Sequence, residues 1–165
     1  MLSIPQVVER ASQPYAAIAA VVRMDELSAA IDKALPAVFG WLAARGAAPA
    51  GAPFFRYRVI DMPSRLEIDF GVPTASVLKA DDAITTGELP AGRYVSATHT
   101  GHYDGLMAAT AELLKWIDDQ RLALDKHQTD LGVAFGCRLE IYHTDSRAEP
   151  DPGRFQTELA MRLAD

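Results

Sequence analysis

Glu140 is the residue whose neighbours give it the most chemistry to do. It lies in Arg138–His143, a run whose alternation puts Arg138, Glu140 and Tyr142 on one face of a strand and Leu139, Ile141 and His143 on the other. A carboxylate walled by aromatic rings is costly to keep ionised unless a cation or hydrogen-bond donors reach it. Such a site therefore favours lipophilic cations through charge pairing and ring-face attraction. Tyr142, Tyr57, Tyr103 and Trp116 are the rings that could build it, with Trp41 as a further candidate. The apolar set of this strand is expected to meet the helices, leaving Glu140 and Tyr142 on the opposite face. The same residues also fit a solvated sheet face with Arg138 beside Glu140, and the strand alone leaves both readings open.

The other residues able to do chemistry carry weaker patterns. His99 and His102 bracket Gly101 at a strand-to-helix turn where an unusual backbone angle is expected. His99 is either a donor or proton acceptor in a pocket, or a structural histidine. Trp41 and Trp116 have apolar neighbours at helical spacing, which favours packing over ligand contact. Tyr57 shares a strand face with Phe55 and Val59, and Tyr103 opens a helix, so each can pack or touch a ligand. Met24, Met62, Met107 and Met161 read as core or surface residues. Cys137 has no histidine close in sequence to mark it as a nucleophile and reads as structural. No phosphate loop, metal-ligand cluster or Gly-x-Ser-x-Gly elbow is found, so neither a metal nor a cofactor is expected.

The elements that must position these residues follow from periodicity. At 165 residues, 49% hydrophobic and 23% charged, the chain matches one ordinary folded domain. Its 16 basic against 22 acidic residues, a net charge of −6, oppose the phosphate neutralisation that direct nucleic-acid binding needs. A lone cysteine fits a reducing compartment, and residues 1–20 lack a basic segment leading into a long apolar run. A cytoplasmic protein that does not span a membrane is the expectation.

Gln6–Ala11 and Tyr15–Val22 read as strands joined by Ser12-Gln13-Pro14, forming a hairpin. Asp25–Arg45 reads as an amphipathic helix with Leu27, Ile31, Leu35, Val38 and Leu42 on one stripe and Gly46 as its stop. Pro36 is expected to kink it or split it in two. Phe54–Ile60 and Arg65–Val72 form a strand pair about Pro63-Ser64, with Leu66, Ile68, Phe70 and Val72 alternating against Arg65, Glu67 and Asp69. Thr85–Leu89 and Arg93–Thr100 are strands. Tyr103–Arg121 is a helix with Leu106, Met107, Thr110, Leu114 and Ile117 on one stripe. Residues 122–135 carry no clear pattern, and Arg138–His143 with Phe155–Leu163 close the chain as a second strand pair. Placing Leu27 on Leu106 and Trp41 on Trp116 aligns the halves, with one extra helical turn in the first.

The runs Leu89-Pro-Ala-Gly-Arg-Tyr94, His99-Thr-Gly-His-Tyr-Asp-Gly-Leu106, Leu114-Lys-Trp116 and Leu139-Glu-Ile-Tyr142, followed by Asp145, together resemble the GyrI-like, AraC-type effector-binding family. Phe39-Gly-Trp41-Leu42, Pro53-Phe-Phe-Arg-Tyr57 and Phe70-Gly-Val-Pro73 extend the resemblance through the first half, with Gly101-His102-Tyr103 standing where the family has Gly-Pro-Tyr. The resemblance implies an α+β fold made of duplicated β-α-β-β modules (an SHS2-like pair), about residues 1–80 and 81–165 of one domain spanning 1–165. Pseudo-twofold symmetry, helices on one side of antiparallel sheets and a ligand groove between the modules come with it. It also implies a pocket of aromatics around a buried glutamate that aligns with Glu140. The function implied first is stand-alone binding or sequestration of an amphipathic small molecule, neutral or cationic, without the DNA-binding head that some members carry. Hydrolysis of strained, cyclopropanoid-type electrophiles with Glu140 assisting water, helped by Tyr142 or His99, and a protein partner such as DNA gyrase are the alternatives.

Overall fold

The computed structural model describes residues 1–61 and 64–165, so Met62 and Pro63 lie outside the described residues. Among the described residues, ten strands and two α-helices follow in the order β1 (Gln6–Arg10), β2 (Gln13–Val22), α1 (Leu27–Ala44), β3 (Phe54–Asp61), β4 (Arg65–Pro73), β5 (Thr85–Leu89), β6 (Gly92–Thr100), α2 (Leu106–Asp119), β7 (Lys126–Thr129), β8 (Gly132–Phe135), β9 (Arg138–Tyr142) and β10 (Gln156–Arg162). The α+β class expected from the sequence holds.

The strands form one antiparallel sheet in the order β1-β6-β10-β9-β3-β4-β2-β5, with the β7–β8 hairpin attached to β3. This sheet must curl. β1 and β2 stand six strand spacings apart, roughly 29 Å if flat, yet Ala11 and Ser12 alone join them, a link that reaches only about 11 Å. Pro90 and Ala91 join β5 to β6 across the same six spacings. The two ends of the sheet are therefore drawn together into a half-barrel. Tyr15 from one end and Tyr94 from the other accordingly meet in a single buried cluster with Phe54, Leu89, Cys137 and Leu139.

The expected β1–β2 hairpin does not form. β2 pairs with β4 on one side and β5 on the other, with Ala16 and Ala17 fully buried, so no edge is left for β1, which pairs with β6. Residues 122–135, which the sequence left unassigned, supply the β7–β8 hairpin.

Both helices lie on the face away from that cluster. Ala34, Val38 and Leu42 seat α1 on β2 and β4, while Ala109, Leu113 and Ile117 seat α2 on β6 and β10. Each expected stripe thus merges two faces of a helix. Leu27, Ile31 and Leu35 on α1, and Leu106 and Thr110 on α2, are only half-buried because they look across the gap between the helices; Met107 is 64% exposed. α1 runs unbroken through Pro36, and Gly46 ends it at φ +65°. With its preceding turn, Met24–Ala44 is long and apolar enough to cross a membrane by length and composition; here it packs on the sheet.

Candidate functional site

Strands β9 and β3 occupy the middle of the sheet, between the places where the two helices dock, so neither helix covers their outer face. A groove of about 1290 Å³ results, walled by Leu27, Ile31, Leu35 and Phe39 of α1 and by Leu106, Met107 and Thr110 of α2. Its floor carries Phe55, Tyr57, Arg138, Glu140 and Tyr142.

That floor corrects the expected sidedness of β9. Leu139 points into the closed interior of the curl, where Ile141 packs as well, while Glu140 and Tyr142 share the helix side. The curl explains the inversion, because it makes the face away from the helices the dry one and leaves an uncovered strip on the helix side. β4 behaves as read, with Leu66, Ile68, Phe70 and Val72 turned towards α1. In β3 the register shifts between Tyr57 and Val59, so Ile60 rather than Val59 returns to the groove beside Tyr57.

Register brings the polar centre together. Phe55 stands opposite Glu140 across the β3–β9 ladder, and Tyr57 lies two residues further along the same face. The Tyr57 hydroxyl donates to Glu140 Oε1 at 2.6 Å, and the Tyr142 hydroxyl donates to the same oxygen at 3.0 Å. Among the described residues, Oε2 accepts no hydrogen bond. Burial raises both phenols well above their ordinary value of 10, and the Glu140 charge and hydrogen bonds push the same way; Arg138 opposes the shift at Tyr57. The carboxylate is thus fixed in direction by two neutral donors.

Around it runs a chain of rings. Phe55 packs edge-on to Phe70 at 5.0 Å and tilted against Tyr142 at 4.6 Å. Tyr103, in the turn before α2, meets Tyr142 edge-on at 5.7 Å and stacks on Phe155 at 5.0 Å. Arg138 enters the groove from β9 with its guanidinium 4.8 Å from the Phe135 ring and 5.9 Å from the Tyr57 ring. Burial pulls its pKa down, against the opposing influence of Tyr57 and Glu140. Alternation gives Arg138 the same parity as Glu140, so it shares the face that Glu140 takes, here the groove rather than a solvated sheet face.

Four of the seven candidate residues therefore meet: Glu140, Tyr142, Tyr57 and Tyr103. The other three lie elsewhere. Trp41 packs in the cluster under α1, donates from Nε1 to Asp81 at 2.7 Å and carries the Arg45 guanidinium on its ring at 3.7 Å. Trp116 packs against the α2 cluster, beside the helix face that meets β6 and β10. His99, 6% exposed, holds the turn before α2: its Nε2 lies 3.1 Å from the His102 carbonyl oxygen, and its ring fills the space where a side chain at Gly105 would sit. Gly101 in that turn has φ +142°, as its position suggested. Cys137 is buried beside Tyr94 in the inner core, and burial raises its thiol pKa.

Comparison with known proteins agrees with this architecture. The family model described as the GyrI-like small molecule binding domain matches residues 4–164. Among curated proteins, sequence comparison finds no match. The EcmrR C-terminal domain superposes with a TM-score of 0.79 at 18% identity, with 98% of each chain covered. In the EcmrR–DNA complex the chain spans only 57% of the EcmrR protein. A hydrolase from Listeria innocua superposes with a TM-score of 0.64 at 12% identity, covering 97% of this chain and 91% of its own. SAV2435 bound to tetraphenylphosphonium gives 0.62 at 12%, covering 98% and 94%.

Proposed function

We propose that this chain, which belongs to the GyrI-like small molecule binding domain family, binds and sequesters an amphipathic, cationic small molecule in the groove between α1 and α2. The observation that carries the reading is Glu140 held by the Tyr57 and Tyr142 hydroxyls on the floor of a 1290 Å³ aromatic groove. Two phenols aim the carboxylate without neutralising it, and the rings beside it offer their faces to a cation. The bound tetraphenylphosphonium of a neighbour with the same fold supports this ligand class.

We read the two halves as copies of one β-α-β-β module, about residues 1–80 and 81–165, within one domain. The support is the strand order, which outward from the β9–β3 junction is β3-β4-β2-β5 on one side and β9-β10-β6-β1 on the other, with β2–α1 and β6–α2 in matching places. On this reading Glu140 and Tyr57 come from equivalent central strands and meet at the pseudo-twofold axis.

One observation favours hydrolysis as a second reading: a carboxylate with an open oxygen beside two proton-bearing phenols is a competent general base next to acids, and a structural neighbour is a hydrolase. Glu140 would take a proton from water as it attacks a strained electrophile.

Calorimetric titration with lipophilic cations and with cyclopropanoid electrophiles, beside mass analysis of the recovered ligand and the Glu140→Gln variant, tests both. Saturable binding of unchanged ligand, weakened in Glu140→Gln, is the expected result. A water adduct lost in the variant would replace it with the hydrolase. Silence towards every compound, or a variant indistinguishable from the parent, would remove the groove from the account and bring a protein partner forward.

A further inference from the structure

Arg138 gives the groove a feature that a receptor for simple cations does not need. It stands two residues from Glu140 on the same strand face, about 7 Å along β9, yet forms no hydrogen bond or ion pair among the described residues. Among the described residues, Asp32 on the α1 wall is the other charged group of the groove without a partner, and it is exposed. Arg147 pairs with Asp145 at 3.2 Å, Asp104 lies 3.2 Å from His102 Nδ1, and Glu140 takes the two phenols. The rings of Phe135 and Tyr57 flank the Arg138 guanidinium, and they provide attraction to the charge but no acceptor for its five N–H donors. The two tyrosines turn the Glu140 carboxylate towards themselves, which keeps it from closing on Arg138.

Among the described residues no Arg138 nitrogen is both sealed from solvent and unpartnered, so the guanidinium faces the open groove, where a ligand's anionic group would gain a charge-assisted, bidentate contact. A cation alone in this groove would gain from Glu140 and lose to Arg138.

We propose that the groove is built for a dipolar ligand: an apolar or aromatic body bearing a cationic or donor group at Glu140 Oε2 and, a few bonds away, a carboxylate, sulfonate, phosphonate or comparable acceptor at Arg138. The inference rests on the groove being the binding site. It adds a specificity-determining residue and narrows the ligand class to zwitterions and amphoteric molecules.

Two probes with one body separate the cases. Propyltriphenylphosphonium is a plain cation; 3-(triphenylphosphonio)propane-1-sulfonate carries the same cation with a sulfonate on the three-carbon tail. Titrated into the wild-type chain, the sulfonate is expected to bind about tenfold more tightly, the worth of one charge-assisted contact. In Arg138→Leu that preference is expected to vanish while the propyl compound binds at least as well as before; Arg138→Lys, which keeps the charge but not the fork, should retain part of it. Because the comparison is made first on the wild-type chain, it stands even where a variant folds poorly. Equal or weaker binding of the sulfonate, or a preference that survives in folded Arg138→Leu, overturns the inference. If the propyl cation binds in a Glu140-dependent way while the sulfonate gains nothing, the inference falls alone. If neither compound binds, the groove reading falls with it.

Discussion

Replacing Tyr57 with Phe removes one hydroxyl and leaves the ring, so it isolates the bond to Glu140. At 2.6 Å this is a charge-assisted O–H···O⁻ contact, a class that contributes about 1.5–3 kcal/mol. The groove is open to solvent and the Tyr142 hydroxyl, 3.0 Å from the same oxygen, partly compensates, so the low end applies: about 1.5 kcal/mol. For a chain of this length that lowers the melting temperature by about 3–6 °C. The substitution is expected to cost this much in the wild-type chain and close to nothing in a Glu140→Leu background, where no acceptor remains. Urea unfolding of the four proteins of that cycle, with unchanged dependence on denaturant, measures the coupling. A coupling below about 0.5 kcal/mol would refute the reasoning, because Tyr57 would then stabilise the chain by ring packing alone and Glu140 would not be oriented by it.

Two further outcomes concern pH. Tyr57, Tyr142 and Tyr94 all have pKa values raised foremost by burial, so in the folded chain they keep protons that the unfolded chain releases near pH 10. Their contribution is complete below about pH 10 and lost as pH climbs towards the folded values. Absorbance at 295 nm should show these three of the five tyrosines ionising only as the chain unfolds, and ordinary titration of all five in the folded protein would contradict this. Glu158 works in the other direction. Burial disfavours its charge, but hydrogen bonds from Ser96 and His143 and the Arg10 guanidinium hold its pKa below the usual carboxylate value. Its contribution is present above about pH 4.3 and lost as pH falls through the lower folded value, so Glu158→Gln should flatten the acid limb of stability below pH ~4.3. An acid limb of unchanged slope would speak against it.

The elements were legible in the sequence because they depend on short-range periodicity. Leu66, Ile68, Phe70 and Val72 alternate and do face α1; Gly46 and Gly101 sit where positive φ is required. What periodicity does not carry is which strand lies beside which. β1 and β2 are neighbours in sequence and distant in the sheet, because β2 is enclosed by β4 and β5. The β7–β8 hairpin is polar at Lys126, His127 and Gln128 and takes its place by pairing with β3, a long-range contact that leaves no local trace.

The same limit decides the site. Alternation grouped Arg138, Glu140 and Tyr142 correctly, since parity along one strand is a local property. It could not say which face was wet, since that depends on the sheet curling and on two helices docking with a gap between them. Once the gap lies over β9 and β3, the consequences are forced. Leu139 and Ile141 must enter the closed interior, and Glu140 must sit on the floor of the groove, where the Tyr57 and Tyr142 phenols donate to it. Trp41 and Trp116, whose apolar neighbours at helical spacing favour packing, sit in the clusters that seat α1 and α2 on the sheet. Four rings that line the groove, Phe55, Tyr57, Tyr142 and Tyr103, come from the strands and the turn at its floor, and Phe39 of α1 joins them from the wall.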